Sequence, residues 1–116
     1  TDPEKVFKFM RSKVADYKKE RLYVISLNTK SWTVAEISLG TLDSILTHPR
    51  EAFSEAIKNN ASSVIFVHNH PSGDTEPSQE DIELTRHMVK AGELLGIEVL
   101  DHLIITKQNF RSIIKE

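Results

Sequence analysis

Residues 63–81 read SVIFVHNHPSGDTEPSQED, and they oblige the chain to run from a strand through a turn into a helix. Ser63 to Val67 is a short buried strand that delivers His68. Pro71 to Pro77 carry the chain around a Pro/Gly turn. Ser78-Gln79-Glu80-Asp81 then reads as a helix start, because the Ser hydroxyl can accept an orphan backbone N–H and an acid suits the first turn. In an extended strand, side chains two apart point to the same side, so His68 and His70 can reach one metal ion together. Asp81, in the first helical turn, is placed to supply a third ligand. Catalytic zinc typically uses three protein ligands and keeps a fourth position for water. Two neutral imidazoles and one carboxylate leave such a metal net positive, which acidifies the water near neutral pH. Capping and ligation are compatible, since Ser78 can cap the helix while Asp81 turns toward the metal.

Composition narrows the chemistry. The chain has no cysteine, so any metal must use His and carboxylates, and a disulfide framework is excluded. Its 116 residues suffice for one domain with its own core. That single domain is expected to span residues 1–116 and, since the chain begins Thr1-Asp2-Pro3 without Met, to be excised from a longer protein. A net charge of −2 lends no support to a strongly electrostatic nucleic-acid binder, although it leaves room for a local basic patch. No apolar run approaches ~18 residues and no signal peptide is visible. No membrane contact is therefore expected, and a cytoplasmic location is the default.

Residues 3–19 read as a helix, with Asp2 as cap, Pro3 at the first position, and Val6, Met10, Val14 and Tyr17 in a stripe. Residues 21–28 and 32–39 read as strands joined by a Thr29-Lys30-Ser31 hairpin, after which Gly40 punctuates. A second helix runs from Pro49 to Asn59, with Thr47 or His48 near its cap. The longest helix covers 78–95 and ends at Gly96, with Thr85 among its apolar candidates. Residues 97–105 form a strand, and 110–114 a short strand or helix turn. This order predicts an α/β fold, a mixed β-sheet flanked by helices. The first strand pair is expected to be antiparallel by its short connection, and the helix crossovers to favour parallel pairing for the later strands.

The spacing His68-x-His70, seven residues, Ser78, two residues, Asp81 resembles the JAMM (MPN-plus) metalloprotease motif. The middle residue is Asn69, where the eukaryotic deubiquitinating members usually have Ser or Thr. The longer strings HNHPSGD…PS..DI..T, LGIEVLDHLII and GTLDSILTHPREAFSEAIKNNASSVIFVHNH are similar to the bacterial RadC-like branch. The likeness covers about residues 17 to 106. It implies a zinc-dependent hydrolase of the MPN/JAB type, with a cytidine-deaminase-like three-layer architecture. It also implies that His68, His70 and Asp81 bind Zn2+, that Ser78 assists the oxyanion, and that a distant Glu acts on the water. In that pattern the catalytic Glu shortly precedes an apolar first strand. Glu20, in Glu20-Arg-Leu-Tyr-Val-Ile-Ser-Leu, fits; Glu36 in the second strand and Glu51 at the second helix remain alternatives.

Several other residues invite roles. Asp74 and Glu76 lie in the turn and compete with Asp81 as ligands, although turn chemistry accounts for Asp74. His102 is a candidate neighbour of the site, acting on a ligand rather than on the metal. His48 and His87 read as surface residues. Lys5, Lys8, Arg11, Lys13, Lys18 and Lys19 form either the solvated side of the first helix or a phosphate-contacting face.

The expected function is therefore zinc-dependent hydrolysis of a peptide or isopeptide bond, with a peptide or protein as substrate. The chain is compact and gives no support to a ubiquitin-sized target. The alternative is a non-enzymatic MPN module with a partner-binding or DNA-repair-associated role; the latter rests on the branch's name. The intact ligand set argues against it. RadC-like proteins commonly carry a helix-hairpin-helix region ahead of this domain, and the 116 residues do not include it. A zinc nucleoside deaminase would need cysteines that the chain lacks. Ligand type favours zinc, while His/His/Asp also accommodates manganese, iron or cobalt.

Overall fold

A computed structural model describes residues 2–14, 18–39 and 49–114. Helix α1 (Pro3–Arg11) comes first, followed by strands β1 (Arg21–Leu27) and β2 (Trp32–Leu39). Helix α2 (Pro49–Lys58), strand β3 (Ser63–Asn69) and helix α3 (Gln79–Leu95) follow, and strands β4 (Glu98–Ile105) and β5 (Phe110–Ser112) close the chain. The five strands form one sheet in the order β2-β1-β3-β4-β5.

The mixed sheet is present, with one difference in pairing. β1 is antiparallel to both β2 and β3, and among the described residues the single parallel pair is β3 with β4. The connection through α2 carries the chain across β1 rather than to the free edge of β2. β3 therefore runs in the direction of β2 but meets β1, which points the other way. β5 is a strand and returns antiparallel on β4. Its tight turn forces that direction: Thr106 Oγ1 accepts the backbone N–H of Asn109 at 2.9 Å, and Thr106 N–H donates to the Asn109 carbonyl at 2.8 Å.

Both faces of the sheet are covered, giving three layers. β1 and β3 are buried along nearly their whole length, so alternate residues serve opposite cores. Tyr23, Ile25, Leu27, Ile65 and Val67 pack with Val6, Phe7 and Met10 of α1. Leu22, Val24, Val64 and Phe66 pack with Phe53 of α2 and Met88 of α3. α3 lies close enough to the sheet that a Cβ at Gly92 would collide with the Ile97 carbonyl oxygen. Gly96 then ends the helix at φ 72°, a left-handed conformation that glycine adopts freely.

α1 is shorter than the periodicity predicts. It begins as expected, with Asp2 accepting from the Glu4 N–H at 3.0 Å and Pro3 following. It stops at Arg11, where Lys13 and Val14 both turn their N–H groups onto the Met10 carbonyl. Ser12, a weak helix former, occupies the C-cap. Val6, Met10 and Val14 are buried as the stripe requires, while Tyr17 lies outside the described residues, as do Gly40, Thr47 and His48. The basic residues of the first helix face solvent, and Arg11 and Lys13 lie over the rings of Phe7 and Phe9 at 5.8 and 4.8 Å. Among the described residues, no helix is long and apolar enough to cross a membrane.

Candidate metal centre

β3 ends where α3 begins, and the ligand-type side chains meet at that junction. Strand ends that face a helix N-terminus are common places for chemistry in such sheets. His68 is fully buried near the end of β3. His70 lies just past the strand but keeps its register, since its N–H donates to the Ile105 carbonyl of β4 at 3.1 Å. The two rings therefore point to one side, with their Nε2 atoms 2.9 Å apart. Asp81 closes the group: Oδ1 lies 3.1 Å from His68 Nε2, and Oδ2 lies 3.1 Å from His70 Nε2. Glu20 joins from the segment before β1, and one ligand atom from each of these four residues falls within 4.8 Å of all the others.

The helix start holds Asp81 in place. Ser78 is the N-cap rather than the first helical residue; its Oγ accepts the Asp81 N–H at 3.1 Å. The Asp81 carboxylate accepts the Ser78 N–H in return at 2.8 Å, completing a capping box. Asp81 thus serves the cap and faces the histidines with the same side chain.

Ring tautomers follow from which partners can only donate or only accept. The Thr85 hydroxyl gives its proton to the Asp81 backbone carbonyl at 2.8 Å. It can then only accept from His102 Nδ1, 2.6 Å away, so that nitrogen carries hydrogen. Burial, and next the neighbouring His68, hold the pKa of His102 well below its ordinary value, so the ring is neutral and its Nε2 is a lone pair. That lone pair accepts from His68 Nδ1 at 2.8 Å. His68 therefore turns its Nε2 toward Asp81. His70 is oriented by a shorter route, because its Nδ1–H donates to the Asp74 carbonyl at 2.8 Å and its Nε2 faces Asp81.

Two imidazole nitrogens and two carboxylate oxygens therefore face one small volume. Such an arrangement calls for a cation, and second bonds from Nδ1 to a carbonyl or another acceptor are what metal-ligating histidines usually make. Ionisation agrees. Burial alone would raise the Asp81 carboxyl, yet the bonds from His68 and His70 outweigh it and hold the group far below the ordinary carboxylate range. Burial alone would lower His70, yet the bonds to Asp81 and the Asp74 carbonyl outweigh it and raise its pKa. Positive charge is favoured between these atoms, and the donor set fits a divalent metal of borderline softness.

The other residues singled out in the sequence separate cleanly. Glu36 is drawn away by Arg21, whose Nη1 lies 2.7 Å from its Oε1, and Glu51 is exposed at the start of α2. Neither belongs to the cluster. Asp74 contributes its backbone carbonyl rather than its carboxylate, and Glu76 sits 3.5 Å from Arg111. His87 is exposed. Thr85, expected to serve as an apolar position, is instead the hydrogen-bonding link between Asp81 and His102. A Thr four residues after an acid on a helix can bond that residue's carbonyl, which was the available signal. Asn69 was not foreseen either: it is fully buried and bonds the segment that carries Glu20.

Comparison with known proteins agrees with this geometry. The family described as RadC-like JAB domain matches residues 1–116. A UPF0758 protein of Desulforamulus reducens is 48% identical over 113 residues, 96% of this chain and 50% of the relative. UPF0758 protein SH1266 of Staphylococcus haemolyticus is 46% identical over 118 aligned positions, 100% of this chain and 52% of the relative. UPF0758 protein Mbar_A2303 of Methanosarcina barkeri is 44% identical over 113 residues, 96% of this chain and 49% of the relative. The chain thus spans about half the length of the curated relatives it matches.

Proposed function

The chain belongs to the RadC-like JAB-domain family, and from that premise we propose that it hydrolyses a peptide or isopeptide bond using zinc held by His68, His70 and Asp81. The observation that carries this reading is the convergence of two imidazole nitrogens, a carboxylate held ionised and Glu20 within 4.8 Å. When bound, zinc supplies Lewis acidity to the scissile carbonyl and lowers the pKa of water.

The chain's own side chains divide the remaining work. Glu20 takes the proton of the attacking water and returns it to the leaving nitrogen, as a carboxylate beside the ligands can do. Ser78 donates to the oxyanion that develops on the former carbonyl. Its Oγ accepts the Asp81 N–H, so its own proton remains available for that bond. His68 is sealed from water, whereas His70 and Glu20 are half-buried, so substrate approaches from the side of His70. A peptide or protein is the partner this chemistry implies.

The test is a cleavage assay on zinc-loaded full-length protein with mixed peptides and Lys-linked isopeptides, reading newly formed amines. Cleavage that chelation stops, zinc restores and Glu20→Gln lowers by about 10²–10⁴-fold with zinc retained is expected. No cleavage by zinc-bound protein, or a fully active Glu20→Gln variant, overturns the reading.

A further inference from the structure

Glu20 stands one residue before β1, whose pairing with β2 begins at Arg21. The pairing of β1 with β3 ends at Leu22 with His68. Past that point the side chain of Asn69 takes over. Its Oδ1 accepts the Arg21 N–H at 2.9 Å, and its Nδ2 donates to the Lys19 carbonyl at 2.7 Å. Those groups belong to the residues on either side of Glu20. Asn69 lies between the two histidines in sequence and is fully buried. Successive strand residues face opposite sides, so Asn69 points away from the metal-facing side of His68 and His70.

We propose that Asn69 is the positioning residue for Glu20, holding its backbone in register with the two histidines so that its carboxylate stays against the ligand atoms. The inference rests on the reading of Glu20 as general base. Chemistry favours asparagine at this position. The site needs one acceptor and one donor on a short planar group, and the amide supplies both. Aspartate keeps the acceptor but sets a lone pair against the Lys19 carbonyl. Alanine supplies neither. Arg21 is gripped from the other side as well, by Glu36 of β2 at 2.7 Å, so the residue after Glu20 is tied to both neighbouring strands.

The experiment compares wild type, Asn69→Asp and Asn69→Ala in the full-length protein. Zinc binding by competition titration is expected to stay at about one ion per chain in all three. Hydrogen exchange at the Arg21 amide is expected to speed about tenfold in Asn69→Ala, which loses the acceptor, and less in Asn69→Asp, which keeps it. With carboxyl-labelled glutamate, a zinc-induced shift of Glu20 is expected in wild type and a smaller one in both variants. Where a cleavable peptide is known, kcat is expected to fall about 10²-fold with KM unchanged, since a misplacement of about 1 Å costs that much. Asn69→Asp guards against a variant that fails to fold. An unchanged Glu20 shift and Arg21 exchange in folded, zinc-bound Asn69→Ala overturns the proposal. An active Glu20→Gln variant instead overturns the base assignment, and the two failures are told apart by which protein misbehaves.

Discussion

His68 and His70 are two residues apart and offer the same atom, Nε2, yet they are held by different means. His68 is enclosed by packed elements. Its ring is fixed through His102 of β4 and Thr85 of α3, and that chain of bonds returns to the backbone of Asp81. His70 faces the open side, and its ring is fixed by one carbonyl of the turn, that of Asp74. Glu20 lies on the open side too, and the buried Asn69 amide bonds the backbone on either side of it. The contrast separates two requirements. A centre needs some ligands that cannot move and some that substrate can approach. Elements joined by a core meet the first requirement, and a loop carried on that core meets the second.

The largest effect is expected where both sides meet. Asp81→Ala removes the carboxylate that faces both histidines, so stoichiometric zinc binding should vanish in a calorimetric titration. The same change breaks the capping box and should cost about 1 kcal/mol in denaturant unfolding of the metal-free protein. Retained zinc at full stoichiometry would contradict the role assigned to Asp81. Ser78→Ala should lose both stability and rate, and Ser78→Asn should recover the stability, because Asn is an equally good cap. If the oxyanion role holds, Ser78→Asn should remain slower by about 10²–10³-fold in the peptide assay. A variant restored in both would reduce Ser78 to a cap.

Smaller effects test the two sides separately. His102→Phe leaves His68 Nδ1 without its acceptor, and zinc affinity measured by competition should fall about 10–100-fold. His102→Gln can accept from His68 and donate to Thr85, and it should recover most of that loss. Equal weakening by both variants would mean that His102 acts only through packing. On the open side, Gly73 sits at φ 86° in the turn that carries Asp74, with space around a prospective Cβ. Gly73→Ala should therefore cost only backbone strain of about 1–2 kcal/mol, and at most about tenfold in zinc affinity. A larger loss than that of His102→Phe would reverse the comparison, making the turn the stiffer support.

What the sequence made legible follows the range of the interactions involved. His68, His70 and Asp81 share one local stretch, where the two-residue period of a strand and the cap at Ser78 suffice to aim three side chains. Glu20 was reachable only through the family pattern, because its approach depends on β1 lying beside β3. The bond from His68 to His102 spans residues far apart in the chain and exists only because β4 pairs with β3. The antiparallel pairing of β1 with β3 was hidden for a related reason: a helical crossover shows the direction of the next strand, not its neighbour. Thr85 reads as an apolar position because it falls on the inward stripe of the helix, and no role is read for Asn69; each is buried with its side chain in hydrogen bonds to other elements.

The most direct test of a preorganised metal centre is elemental analysis of tag-free protein, wild type beside His70→Ala, after zinc is offered at neutral pH. About one zinc per wild-type chain and little in the variant is the result the convergent ligand atoms require. No metal in either protein would contradict the account, and so would equal occupancy in both.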